Sequence, residues 1–383
     1  LYNHLDERIL YDKFGRWTQI NALTVKFVII MYEQIRDEGV LVRLLNKLVL
    51  LTCMLLGAKS FAADSPTPSQ WKPAPDLPIT FQEVYPAVFM DRVFIGGGFT
   101  KTDSDSFYGL GPTRKVFILN PAEQFWEKAP DLPESRHHLG MTSNIHYVYA
   151  IGGFTGPKED AWQPQRAVYR LDSRKSRWMS ASSLPIPMAE SVYVNVGKNI
   201  HVIGGKTRKR GETQNIDTNA HYVLVNNAYW RKAKPAPTAR ASAAGAVIGN
   251  DIYVIGGRTS GENRQNLNTV EVYDAQTETW QTRAPLPIAA AGLAAAVIDG
   301  KIIVSGGEAF SNTGNWQDGK VFNSVFMYDP NIDEWQELEP LPTPRHGHGK
   351  VSLNGEVYVL GGAAKIGPQE TLSSTLIYQP TQD

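Results

Sequence analysis

The sequence holds one cysteine, Cys53, in 383 residues, so every later position lacks a thiol. Disulfides, thiolate metal sites, cysteine nucleophiles and a Tyr–Cys crosslinked radical centre are thereby excluded from the bulk of the chain. An excess of one charge is also missing. The 38 basic and 38 acidic residues cancel, so nothing in the balance points to nucleic acid or an anionic membrane. No apolar run reaches the roughly 20 residues needed to cross a bilayer, which predicts no membrane span in the mature form. There is no phosphate-cradling Walker loop, no Gly-x-Ser-x-Gly elbow and no Cys-rich zinc spacing, so no cofactor is implied.

The first 62 residues differ from the rest. Arg43 and Lys47 followed by the apolar run Leu48 to Ala58 and by Ser60-Phe61-Ala62 have the three parts of a secretory signal over residues 42–62. The expectation is export, to the periplasm or the medium. Cys53 lies inside the apolar run after Thr52, where a lipoprotein signal wants a smaller residue, so no lipid anchor is expected. Residues 1–41 share no pattern with the rest of the chain and read as an over-extended start or a long n-region, and residues 63–70 read as a linker.

From residue 71 the chain repeats. A Gly-Gly pair closing a hydrophobic run recurs at Gly96-Gly97, Gly152-Gly153, Gly204-Gly205, Gly256-Gly257, Gly306-Gly307 and Gly361-Gly362. Tryptophan recurs in step at 71, 126, 178, 230, 280 and 335, each with proline seven positions later. Periods near 50 residues signal a solenoid or propeller. Each unit reads as four short strands, the first following the proline, as in Ala241 to Ile248. The second ends at the glycines, the third at Tyr273-Asp274 or a substitute, and the fourth carries the tryptophan. Asn354-Gly355 and Asp299-Gly300 suit tight hairpins that require positive φ. The Ala289-Ala290-Ala291-Gly292 and Ala294-Ala295-Ala296 runs are read as inner strand, where sheets crowd toward an axis. In the third unit Val223-Leu224 replaces Tyr-Asp, which predicts a different hairpin register there.

The order of these marks predicts how the ring closes. The first is Trp71 with no glycine pair before it, and the last unit has Gly361-Gly362 and Tyr378 but no tryptophan. Trp71 is therefore expected to supply the outer strand of the last blade, which removes an exposed edge.

Hydrophobic run, Gly-Gly, Tyr-Asp and Trp together resemble the kelch repeat across residues 71–383. The resemblance implies an all-β, six-bladed propeller. An exported six-bladed kelch protein is similar to the bacterial N-acetylneuraminate epimerase (sialic acid mutarotase) group, which implies cofactor-independent acid–base chemistry on an acidic sugar. In that group a catalytic glutamate follows a Gly-x pair, as Glu308 does here. The alternative is a non-catalytic module that binds a glycan or a protein on its loop face.

Candidate site residues lie in the loops of one face. Arg136, Arg240 and Arg345 stand sixteen positions before a glycine pair, where kelch domains present an arginine. They either bind a carboxylate or bond carbonyls at the channel mouth. Phe99, Phe154, Lys206, Arg258, Glu308 and Ala363 follow the pairs, six chemistries at equivalent positions. Arg258 and Lys206 join the ligand-binding candidates. The candidate acid–base groups are Glu308, His348, His138 and Glu190, with His137 and His346 beside them. A metal held by His346-x-His348 with His138 or Glu190 is the lesser alternative. Trp162 and Trp316, on polar loops, either stack on a sugar or fold onto the propeller.

Overall fold

The computed structural model describes residues 10–11, 17–18, 69–103, 107–172, 174, 176–261, 264–311 and 316–380. The signal-like segment 42–62, Cys53 and most of residues 1–41 lie outside them, as does the side chain of Trp316. The chain divides into Leu1–Pro68 and Ser69–Asp383. In the first unit, Leu10–Tyr11 pairs antiparallel with Trp17–Thr18.

The second unit is a propeller of six four-stranded antiparallel sheets. Blade 4 shows the plan: Ala244–Ile248 innermost, then Asp251–Ile255, Val270–Asp274 and Thr279–Arg283 outermost. Alternation along each strand sends side chains to both sheet faces. Each face meets the next blade, and six apolar clusters result, one per junction.

The tryptophans close the ring. Each indole Nε1–H donates to a backbone carbonyl four residues beyond the preceding tryptophan. Trp126 reaches Pro75 O at 2.8 Å, Trp178 reaches Pro130 O at 2.9 Å, and Trp230 reaches Ser182 O at 2.7 Å. Trp280 reaches Lys234 O at 3.0 Å and Trp335 reaches Ala284 O at 2.9 Å. The sixth link joins the two ends of the propeller: Trp71 donates to Glu339 O at 3.1 Å. Trp71–Ala74 is hydrogen-bonded to Thr375–Tyr378 as the outer strand of blade 6, as the order of marks predicts.

Three details depart from the sequence reading. In blade 1 the left-handed glycines are Gly97 (φ 66°) and Gly98 (φ 73°), not Gly96, so the pair is displaced by one residue. The inner strand of blade 4 begins at Ala244, not Ala241, and Ala289 to Gly292 is loop, with the strand confined to Ala294–Ile298. The loop form is required because Gly292 sits at φ 64°. Blade 3 does use a different hairpin. Val225 pairs with Tyr229 across a three-residue loop, 226–228, in which Asn226 and Asn227 both have positive φ, whereas blades 1, 4 and 5 use four-residue loops.

Candidate functional site

With the blade 1 glycines at 97 and 98, the loop entering each inner strand has one residue in the left-handed region at the same position. These are Glu83, His138, Glu190, Ser242, Gly292 and Gly347, all with φ between 52° and 64°. Backbone hydrogen bonds chain them across blades. Glu190 N donates to His138 O (3.2 Å), Ser242 N to Glu190 O (3.0 Å) and Gly292 N to Ser242 O (2.8 Å). Gly347 N then donates to Gly292 O (2.8 Å) and Glu83 N to Gly347 O (2.7 Å). A non-glycine residue in this region is uncommon. Here four occur at one ring of positions, held by this backbone chain, with their side chains at the mouth of the channel.

The residue after each glycine pair adds a second ring, because it bridges to the same loop: Ala241 with Arg258, Ala291 with Glu308, His346 with Ala363. The two rings create an alternating run of charge. Arg258 Nη1 donates to Glu308 Oε1 at 2.7 Å. Glu308 Oε2 lies 3.5 Å from His346 Nε2, and Glu83 Oε1 lies 3.5 Å from His346 Nδ1. Glu83 Oε2 is 3.1 Å from His138 Nε2. At the other end Arg258 Nη2 reaches Ser242 Oγ at 3.5 Å, and that hydroxyl donates to Glu190 Oε2 at 2.5 Å. All six blades supply a member.

Protonation follows from the hydrogen bonds. His137 Nε2 lies 3.0 Å from Ala161 O, so it carries the proton. Burial and the adjacent His138 keep His137 neutral, its pKa well below the ordinary imidazole range. Its Nδ1 is then the acceptor for His138 Nδ1–H at 2.7 Å. Both nitrogens of His138 therefore donate, and the ring is an imidazolium. Burial opposes that charge, but Glu83, with Glu190 behind it, raises its pKa. Burial likewise opposes the charge on His346, yet Glu308 and Glu83 raise its pKa to about 9. Its Nε2–H is shared between Lys365 O (3.0 Å) and Gly367 O (3.1 Å). Glu83, which burial alone would raise, is instead held well below the usual carboxylate range by His138 and His346.

Beside Arg258 opens a cavity of about 330 Å³ lined by Glu190, Lys206, Arg258, Ser260, Arg264 and Phe310. The guanidinium carbons of Arg258 and Arg264 stand 4.5 and 5.0 Å from the Phe310 ring centre, within cation–π range. Lys206 Nζ donates to Asp217 Oδ1 (2.5 Å) and Ser260 Oγ (2.7 Å). An ammonium has three N–H groups, so one is left over. Three cationic side chains and one carboxylate thus line a pocket with an aromatic wall, a composition suited to an anionic ligand.

Not every candidate from the sequence reaches this site. Arg136, Arg240 and Arg345 are buried, and each Nη1 donates to a glycine carbonyl of its own blade: Gly152 O (2.8 Å), Gly256 O (2.9 Å) and Gly361 O (2.9 Å). Of the two roles open to them, they take the carbonyl-bonding one. His348 is turned between blades toward Ser305 Oγ at 3.2 Å, and burial together with Lys350 and Arg345 holds its pKa well below the imidazole range. Glu308 is on the charge run but lies behind Arg258, outside the cavity lining. Trp162 folds down, its ring 4.7 Å from His137, 5.2 Å from His138 and 5.2 Å from Phe154. Its loop is fastened by Arg208, which holds Asp160 with both Nη atoms (2.8 and 3.0 Å) and donates to Trp162 O at 2.9 Å. Among the described residues no group of three His, Cys, Asp or Glu could hold a metal ion, and no helix is long and apolar enough to cross a membrane.

The sequence reading missed Glu83, Ser242, Arg264 and Phe310. For Glu83 the signal was present: counted from Gly97, it occupies the position of His138 and Glu190. Misplacing the first glycine pair by one residue hid it.

This architecture has known counterparts. The solved structure of YjhT superimposes with a TM-score of 0.67 over 81% of this chain and 98% of that one, at 16% identity, a likeness of fold. Kelch-like protein 15 of Danio rerio is 24% identical over 284 residues, and Kelch-like protein 35 of Mus musculus 26% identical over 316. These alignments take in 70% and 82% of this chain but 45% and 40% of the relatives, so the chain spans less than half their length. The Kelch motif model matches residues 135–185, and the KLHDC2/KLHL20/DRC7 Kelch-repeats domain matches residues 190–383, half of the sequence. With six blades, six glycine pairs and six tryptophan links, the chain belongs to the kelch-repeat family.

Proposed function

We propose that the channel face is a small-molecule site for an acidic sugar and that the protein, exported from the cell, catalyses mutarotation there. The observation that carries this reading is the cavity in which Glu190 faces Lys206, Arg258 and Arg264 across an aromatic wall. Ring opening at an anomeric centre needs a group to take the hydroxyl proton and another to protonate the ring oxygen, and reclosure reverses both. Glu190 is the base, its carboxylate oriented by the Ser242 hydroxyl. Lys206, with its third N–H, is the acid. Arg264 and Arg258 hold the sugar carboxylate, and Glu308 acts through Arg258 as a positioning residue.

The test is proton NMR of freshly dissolved N-acetylneuraminic acid with and without the full chain. The catalysed α/β equilibration is expected to fall about a hundredfold in Glu190→Gln, within the usual range for losing an acid–base group. An unaccelerated rate with the parent protein removes the reading. It would leave a protein-binding module, which the Kelch-like relatives and the exposed Phe107 and Tyr108, beside a groove of about 670 Å³, support.

A further inference from the structure

Below the rim, the position eleven residues before each glycine pair borders the channel cavity: Pro86, just ahead of the blade 1 inner strand, and Met141, Tyr193, Gly245, Ala295 and Lys350 within the others. From blade 2 to blade 6 these residues pair alike with the second strand, at Ala150, Val202, Val254, Val304 and Val359. Four of the six are aliphatic or glycine and one is tyrosine, so the position itself does not call for a cation. Lys350 is nonetheless there, 6% exposed. Its Nζ makes a long hydrogen bond to Ile303 O, on the second strand of blade 5, at 3.4 Å and has no salt-bridge partner among the described residues. The cavity it lines, about 110 Å³, also holds Glu83, His348 and Tyr193. Glu83 is engaged with two imidazoles.

A lysine buried without a counter-ion sheds its proton, since desolvation penalises the charged form alone. Burial first, and the Arg345 guanidinium second, hold Lys350 well below the ordinary lysine range. The neutral amine is the nucleophilic form.

We propose that Lys350 is a reactive amine that captures small aldehydes or 2-oxo acids in the channel as an imine. Its Nζ lone pair forms the C–N bond to the carbonyl carbon. Both amine protons pass to the carbonyl oxygen, which leaves as water, giving the C=N bond. This inference does not rest on the sugar reading, because the cavity is separate from the one at the rim and too small for a sugar acid.

The test uses the full chain with glyoxylate and cyanoborohydride, which reduces the imine by hydride to a stable carboxymethyl amine. Peptide mapping then compares Lys350 with exposed lysines such as Lys128 and Lys320. At about pH 7, Lys350 is expected to be labelled at least about tenfold faster, because an ordinary lysine is almost wholly protonated there. Lys350→Met, which puts the blade 2 residue into blade 6, is expected to fold and to lose only that label. Labelling of Lys350 at or below the rate of the exposed lysines overturns the proposal, as does its absence with parent protein shown intact by circular dichroism.

Discussion

Two sixfold rings in this molecule behave in opposite ways. The outer ring, the tryptophans, repeats one residue and one hydrogen bond at every blade. The inner ring repeats one backbone conformation but changes its residue, from Glu83 through His138, Glu190 and Ser242 to two glycines. Symmetry marks what the blades need from each other. Its loss at constant backbone marks what the face does. The same contrast separates two sets of histidines. His201 and His221, in the body of the propeller, bond to each other at 2.9 Å. Burial pushes them down to about 4 and about 3. His138 and His346 are just as buried but stand beside Glu83 and Glu308, and keep their charge.

The largest expected effect breaks the outer ring where it closes the chain. Trp71→Ala removes the indole bond to Glu339 O and the packing on Tyr378, whose ring centre lies 5.1 Å away. It is expected to cost about 3–5 kcal/mol by urea denaturation. A loss within error of zero would mean that the blade 6 closure does not hold the propeller together. The inner ring should be spared, so the mutarotation proposed above, measured on the protein that remains folded, should match the parent.

A smaller effect, on the order of 3 kcal/mol at most, opposes the two sets of histidines. The folded pKa of His346, about 9, lies above its unfolded value of about 6.5. The stability it contributes is full below about 6.5 and is lost as pH rises through about 9. His221, depressed to about 3, does the reverse: its contribution is full above about 6.5 and is lost as pH falls toward its folded value. Relative to the parent, His346→Gln should therefore look worst near pH 6 and recover near pH 9.5, whereas His221→Gln should recover toward pH 4. Parallel pH profiles for the two variants would erase the distinction between rim and body.

Most of the scaffold was legible because its marks repeat. Tryptophan, proline and glycine recur for reasons of packing and backbone freedom that act six times, so the blade count survives the one-residue misplacement of the first glycine pair. That is why Trp71 can be assigned to the last blade from the order of marks alone. The site was legible only in part, because it is built from the exceptions. Arg258, Glu308, His138 and Glu190 stand out as charged residues at repeat positions. Arg136 and Arg345 carry the same signal and bond carbonyls instead. A buried guanidinium that caps a strand and one that faces a ligand are the same letter in a sequence, and only the direction of the side chain separates them.

The last comparison lies within the inner ring itself. Gly347 and Gly292 share the conformation, with φ of 56° and 64°, and either would strain an alanine. A Cβ on Gly347 would lie 2.5 Å from Glu83 Oε1, while on Gly292 the nearest atom is 3.4 Å away. Gly292→Ala therefore meets only the backbone cost, about 1 kcal/mol. Gly347→Ala must also displace the Glu83 carboxylate from between His138 and His346, for a total of about 2–3 kcal/mol. In the Gly347 variant alone, the His346 ring resonances followed by NMR should titrate below about 9, because one of its two carboxylates has moved. Equal losses in the two variants with His346 unmoved would mean that Glu83 is not what the small residue at 347 makes room for.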